Sequence, residues 1–151
     1  MNLFKMLDKI NQMTIKDGVF KSCTGKKMKT VVIPDGVTII GESAFGCVTK
    51  YLESVIIPDG VTTIEESAFS MCKALKSVVI PKTLKTIGKN AFFECKSLKG
   101  IIIPDGVTTI GEGAFFGCKS LKSVVIPESV KKIGKDAFLG CNHLNIKEGK
   151  I

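Results

Sequence analysis

The chain contains no arginine and no tryptophan, a single tyrosine (Tyr51) and a single histidine (His143). Without arginine there is no planar donor fork to grip phosphate or a guanine edge; every basic side chain is a lysine, a hydrated point charge. A net charge of +8 carried this way implies one of two things. It is either weak, salt-sensitive, non-specific attraction to polyanions or a repulsive surface that keeps the protein dissolved. No specific nucleic-acid partner is expected. A lone histidine with no neighbouring nucleophile or acid is no catalytic triad. The carboxylates are scattered, with nothing to push two pKa values apart. No apolar run approaches the ~20 residues that span a bilayer, so no membrane span is expected. The first residues, MNLFKMLDKINQM, lack a signal-peptide core, because Asp8 and Lys9 interrupt it. The expected location is cytoplasmic as written, or cell-surface or secreted if the chain is a piece of a longer protein.

What the chain does contain is a period. Pro34, Pro58, Pro81, Pro104 and Pro127 are spaced by 24, 23, 23 and 23 residues. A fixed step of this size means stacked small units rather than one central core. Each unit has a β-branched run before the proline, such as Val78-Val79-Ile80, and a turn after it, such as Asp105-Gly106. A Val or Leu and an Ile follow, three residues apart (Val107, Ile110), and then Gly in four units, with Glu65 replacing it in the second. A short helical turn carrying Ala-Phe is expected next, as at Ala91-Phe92, followed by Cys and, three later, Leu (Cys95, Leu98). The first full unit departs, with one extra residue and Cys47 five before Leu52.

The Leu-x-x-Val-x-Ile rhythm with a Cys upstream, and the Ile-Pro-x-x-(Val/Leu)-x-x-Ile-Gly-x-x-Ala-Phe-x-x-Cys remainder, resemble the BspA-like, treponemal-type leucine-rich repeat family over residues 28–144. That resemblance implies a right-handed solenoid, with a parallel β-sheet on the concave face and short helical or irregular turns on the convex face. Residues 1–28 read as an N-terminal cap. Leu3, Met6, Leu7 and Ile10 lie at helical spacing within 1–13, as a capping or partner-binding helix. Residues 14–28 read as a decayed unit, with Ile15–Val19 echoing Ile33–Val37. Residues 29–144 are five repeats of 23–24 residues, and 145–151 a terminal partial repeat. The C-terminal end looks poorly covered, which raises a possible homodimer through that end.

Six cysteines with no C-x-x-C pair argue against metal. A file of cysteines all pointing one way neither converges tetrahedrally nor gives the ~90° disulfide torsion. The resemblance implies that this position bonds the backbone of its own turn. Cys23, in the decayed unit, is the thiol expected to be exposed. No catalytic, cofactor or metal residue is assigned.

Binding is expected on the sheet. Strand side chains alternate, so Val32, Ile56, Val79, Ile102 and Val125 form an outward aliphatic file beside a file of small residues that includes Ser54, Ser77 and Ser123. Such a file is either a contact surface or simply what suits a strand. A basic rim including Lys76, Lys99 and Lys122 borders it, and could take an acidic partner segment or only aid solubility. The function expected is a non-enzymatic protein–protein interaction module with an unidentified protein partner. The alternatives are an adhesin-type module binding host matrix protein, which the resemblance implies, and a self-assembling structural repeat protein.

Overall fold

The computed structural model describes residues 12–25 and 27–149. The chain opens with β1 (Met13–Lys16) and β2 (Val19–Cys23). Each repeat then contributes two short strands. The inner set is β3 (Thr30–Val32), β5 (Ser54–Ile56), β7 (Ser77–Val79), β9 (Gly100–Ile102), β11 (Ser123–Pro127) and β13 (Asn145–Gly149). The second set is β4 (Ile39–Ile40), β6 (Thr63–Ile64), β8 (Thr86–Ile87), β10 (Thr109–Ile110) and β12 (Lys132–Ile133). Both sets pair in parallel, each residue opposite its equivalent one repeat on: Val31 with Val55 with Val78, and Ile40 with Ile64 with Ile87. This is a β-solenoid of about six turns.

The second ladder is not visible in the periodicity, because two-residue strands leave no alternation to read. It is the longest sheet, in the order β1-β2-β4-β6-β8-β10-β12. Its main-chain donors reach back one repeat, as in Gly88 N to Ile64 O and Gly111 N to Ile87 O, each 2.8 Å.

The convex side is an arc of turns rather than helix; among the described residues a single 3₁₀ turn, Gly46–Val48, is helical. The reason is local. Ser43, Ser67, Asn90, Gly113 and Asp136, each just before the Ala-Phe pair, have φ between 52 and 59°, which ends any right-handed helix. Their N–H groups turn along the solenoid axis instead. Asn90 donates to Glu112 O and Phe92 to Ala114 O, each one repeat ahead. The backbone is thus bonded between repeats on the arc as well as in the sheets, which satisfies groups that would otherwise be buried unpaired.

Between these walls the apolar positions form files. The rings of Phe20, Phe45, Phe69, Phe92, Phe115 and Phe138 stack in sequence at centroid distances of 4.5 to 5.2 Å. Phe20 through Phe115 are fully buried, as are Ile40, Ile64, Ile87 and Ile110. The last members are not. Ile133 is 48% exposed and Phe138 is stacked on Phe115 alone.

Two expectations are corrected at the N-terminal end, and one falls outside the described residues. Residues 13–23 form a hairpin, with β1 antiparallel to β2, so the expected echo of Ile33–Val37 by Ile15–Val19 does not hold in register. Asp17 and Gly18 both have positive φ (53 and 74°), the signature of a tight hairpin turn. In the repeats proline precedes Asp-Gly and only the glycine is positive, as at Gly36 (φ 90°); Lys16 stands where that proline would be. Consequently Val19 pairs with Ile39 rather than Val37, and Phe20 with Ile40. Second, the expected helix over 1–13 lies outside the described residues except at its end, where Met13 already belongs to β1. Third, Cys23 is fully buried and Cys47 is the exposed thiol. In the 24-residue repeat Val48 occupies the buried site three after Phe45 that cysteine holds elsewhere, and the extra residue follows it.

Candidate interaction face

The inner strands point Val31, Val55, Val78, Ile101 and Val124 into the core, each at most 9% exposed. The intervening residues therefore face outward: Val32, Ile56, Val79, Ile102 and Val125 are 57, 41, 56, 79 and 40% exposed. Ser77 and Ser123 are exposed beside them and Ser54 is half-buried, with Ser77 Oγ donating to Ser54 Oγ at 3.3 Å. The five aliphatic side chains stand one behind another at the ~4.8 Å spacing of a parallel ladder.

The inner ladder is interrupted. It runs β3-β5-β7 and, separately, β9-β11-β13. Lys122 N and Lys76 N reach the preceding repeat at 3.2 and 2.8 Å, but Lys99 N reaches Lys76 O at only 3.4 Å. Gly100 stands at this point where Ser54, Ser77 and Ser123 stand in other repeats, and glycine weakens a strand. A shallow, mostly apolar groove lies over β7, β9 and β11 here, lined by Val79, Ile80, Gly100, Ile102, Ser123 and Val125 among others, with Lys82 and Asp105 at its acidic-rim side. Sequence reasoning missed this feature; Gly100 was the one signal for it.

One rim is acidic but for Lys82, with Asp35, Asp59, Asp105 and Glu128 exposed beside the turns. The other rim consists of the connections from arc to inner strand, at 24–25, 27–29, 49–53, 73–76, 96–99, 119–122 and 142–145. These carry nine lysines and one acid, Glu53, a net +8. The other described residues carry nine lysines and twelve acids, a net −3. Among the described residues the lysine excess therefore lies along one edge of the solenoid, and the rest is net acidic. Lys76 and Lys29 share Glu53 at 2.7 and 3.3 Å. The hydrogen bonds from Lys76 and Lys29 hold its carboxyl below the usual carboxylate range. Lys99 and Lys122 are exposed, and no ion pair engages them among the described residues.

The cysteine file is structural. Three of the thiols donate to the Phe carbonyl of the preceding repeat rather than to their own turn: Cys95 to Phe69 O at 3.2 Å, Cys118 to Phe92 O at 3.1 Å, Cys141 to Phe115 O at 3.2 Å. The stacking direction sets this, since the carbonyl of one arc lies under the thiol of the next. Burial pushes the Cys23, Cys72 and Cys118 thiols up to about 12, and Cys95 well above its ordinary value. The thiolate is the reactive form. Iodoacetamide at pH 8 is therefore expected to alkylate Cys47 promptly, half-buried Cys141 more slowly, and the other four only after unfolding, as read by peptide mass spectrometry. Among the described residues no cluster of His, Cys, Asp and Glu is placed to hold a metal, and His143 is an exposed turn residue.

The repeat matches the family model described as a BspA type leucine rich repeat region, in six copies over residues 7–145. The chain belongs to the BspA-type leucine-rich repeat family. It is similar to the T. pallidum leucine rich repeat protein (36% identity, TM-score 0.81), covering 89% of this chain and 67% of that one. A leucine rich cell surface protein from Faecalibacterium prausnitzii is 37% identical with a TM-score of 0.80, over 87% of this chain and 35% of that one. A leucine-rich repeat protein from Bacteroides ovatus is 35% identical with a TM-score of 0.61, over 75% and 35%. The chain thus spans about a third of the length of two of these relatives and two thirds of the other. No functionally curated protein matches. The BspA-type solenoid is generally an interaction fold. In this chain no helix among the described residues is long and apolar enough to cross a membrane.

Proposed function

We propose that this BspA-type solenoid is a non-enzymatic protein-interaction module, and that the concave sheet face is its contact surface. The observation that carries this is the file of Val32, Ile56, Val79, Ile102 and Val125. All five are aliphatic and exposed on a laddered platform, where one polar residue at each position would serve folding as well. A contiguous exposed apolar strip with charged rims is the usual form of a protein contact. The strand ladder holds it rigid, so little ordering entropy is lost on binding.

A second reading is an adhesin-type module at a microbial surface. The F. prausnitzii relative, described as a leucine rich cell surface protein, supports it. The two readings differ in partner, not in face.

A photo-crosslinking amino acid placed at Ile102, or at the convex Leu139 as control, separates this face from the rest of the molecule. Leu139 is 56% exposed, so both probes are accessible. Adducts are expected from Ile102 alone, with proteins of the source cells or with immobilised extracellular-matrix proteins. Equal adducts from Leu139 overturn the assignment to the concave face.

A further inference from the structure

We propose that the segment captured by this face is an acidic peptide carrying aliphatic side chains, its carboxylates held along the lysine edge and its apolar groups seated in the groove over β7, β9 and β11. The inference rests on the concave-face reading and names the chemistry of the partner.

The argument begins with the distribution of charge. Among the described residues the connections that feed the inner strands carry a net +8, while the rest carries nine lysines and twelve acids, a net −3 that includes the opposite, acidic rim. Solubility alone requires no such segregation, since dispersed lysines serve it equally well. The repeat period turns the segregated lysines into rows. Lys76, Lys99 and Lys122 immediately precede β7, β9 and β11, and Lys73, Lys96 and Lys119 lie three residues upstream of them. At the ~4.8 Å step of a parallel ladder such a row repels itself by about 0.8 kcal/mol per neighbouring pair before salt screening. A bound anion relieves that repulsion.

Within the rows the internal carboxylates serve only some of the lysines. Glu53 serves Lys29 and Lys76, and Glu94 serves Lys96 at 3.2 Å. No ion pair engages Lys99 or Lys122 among the described residues. Those two lysines precede β9 and β11, two of the three strands that line the apolar groove, whose lining includes Val79, Ile102 and Val125. Unpaired lysines among the described residues, including Lys99 and Lys122, thus stand beside the most exposed aliphatic side chain of the file, Ile102 at 79%.

That juxtaposition chooses the class of partner. A sulfated polysaccharide or a nucleic acid matches the lysines but brings no aliphatic side chain to the groove. The chain also lacks the arginine forks that phosphate recognition favours. An acidic peptide with leucine-like residues matches both.

The test uses the full chain and a dye-labelled peptide of three Glu-Glu-Leu-Asp units, with binding read by fluorescence anisotropy at low and physiological salt. The wild-type chain is expected to bind and to weaken as salt rises. Lys99→Glu with Lys122→Glu is expected to weaken binding about tenfold, as the loss of two solvent-exposed charge pairs does. Ile102→Ser is expected to weaken it several-fold while circular dichroism stays unchanged. Absence of binding to the wild-type chain overturns the proposal. So does binding that is indifferent to Ile102→Ser and competed equally well by dextran sulfate, which marks a general polyanion site. Should the Ile102 crosslinker capture a partner while the peptide fails, the peptide chemistry falls and the concave-face reading stands; should both fail, both fall.

Discussion

Replacing Phe92 with alanine is expected to destabilise the fold by about 4 kcal/mol, seen as a fall of about 2 M in the urea midpoint. Phe92 is fully buried and stacks on Phe69 at 5.0 Å and on Phe115 at 5.2 Å. Its loss opens a cavity at two repeat interfaces at once. In a one-dimensional stack, stability is a sum of unit terms and neighbour terms, so a central ring costs two neighbours and an end ring one. Phe138→Ala is the control. That ring is half-buried and stacked on one side, and its removal is expected to cost about 1 kcal/mol. Equal costs for the two variants would mean that the rings do not act as a file.

Gly111→Ala is expected to destabilise by about 3 kcal/mol, at the upper end of overpacking costs, while Gly100→Ala stays within about 0.5 kcal/mol of wild type. The contrast isolates close approach between repeats. A Cβ on Gly111 would lie 2.5 Å from Lys89 N and 2.6 Å from Gly88 C, main-chain atoms that cannot swing away as a side chain would. A Cβ on Gly100 meets nothing within 4 Å. Both variants are read by thermal and urea unfolding. A near-neutral Gly111→Ala would show that adjacent coils separate easily at this corner. The Gly100 variant has a second use, since a β-carbon there strengthens β9 and is expected to leave folding intact.

The second repeat shows how this corner can depart from glycine. Glu65 stands in the glycine file, and its carboxylate accepts the Glu42 N–H at 2.9 Å. The exception is thus bonded to the neighbouring repeat.

The stacked files were legible in the sequence because a 23-residue step forces equivalent side chains into register. The phenylalanine ladder, the parallel inner strands and the outward exposure of Val32, Ile56, Val79, Ile102 and Val125 all follow from that step and from strand alternation. The lysine rows were legible too. Their meaning was not, because the balance of charge on the rest of the surface emerges only when the connections are grouped along one edge.

Other elements depended on geometry that periodicity does not carry. The two-residue strands β4, β6, β8, β10 and β12 are too short to alternate. The left-handed residues before each Ala-Phe pair turned an expected helical turn into a bonded arc. Asp17 and Gly18 form a hairpin because Lys16 is not proline, which a similarity of composition to the repeats conceals. Cys23 is buried and Cys47 exposed because Val48, not a cysteine, fills the site three residues after Phe45. Spacing to the next leucine suggests the opposite.

By itself, then, the amino-acid order determined the coil, its step and which side chains stand in each file, since repetition along a chain becomes translation in space. Only the tertiary structure decided where the inner ladder parts, which lysines keep no internal carboxylate, and how the first turn is closed. Those outcomes depend on contacts between non-equivalent residues, and a repeating pattern holds no information about the places where it breaks.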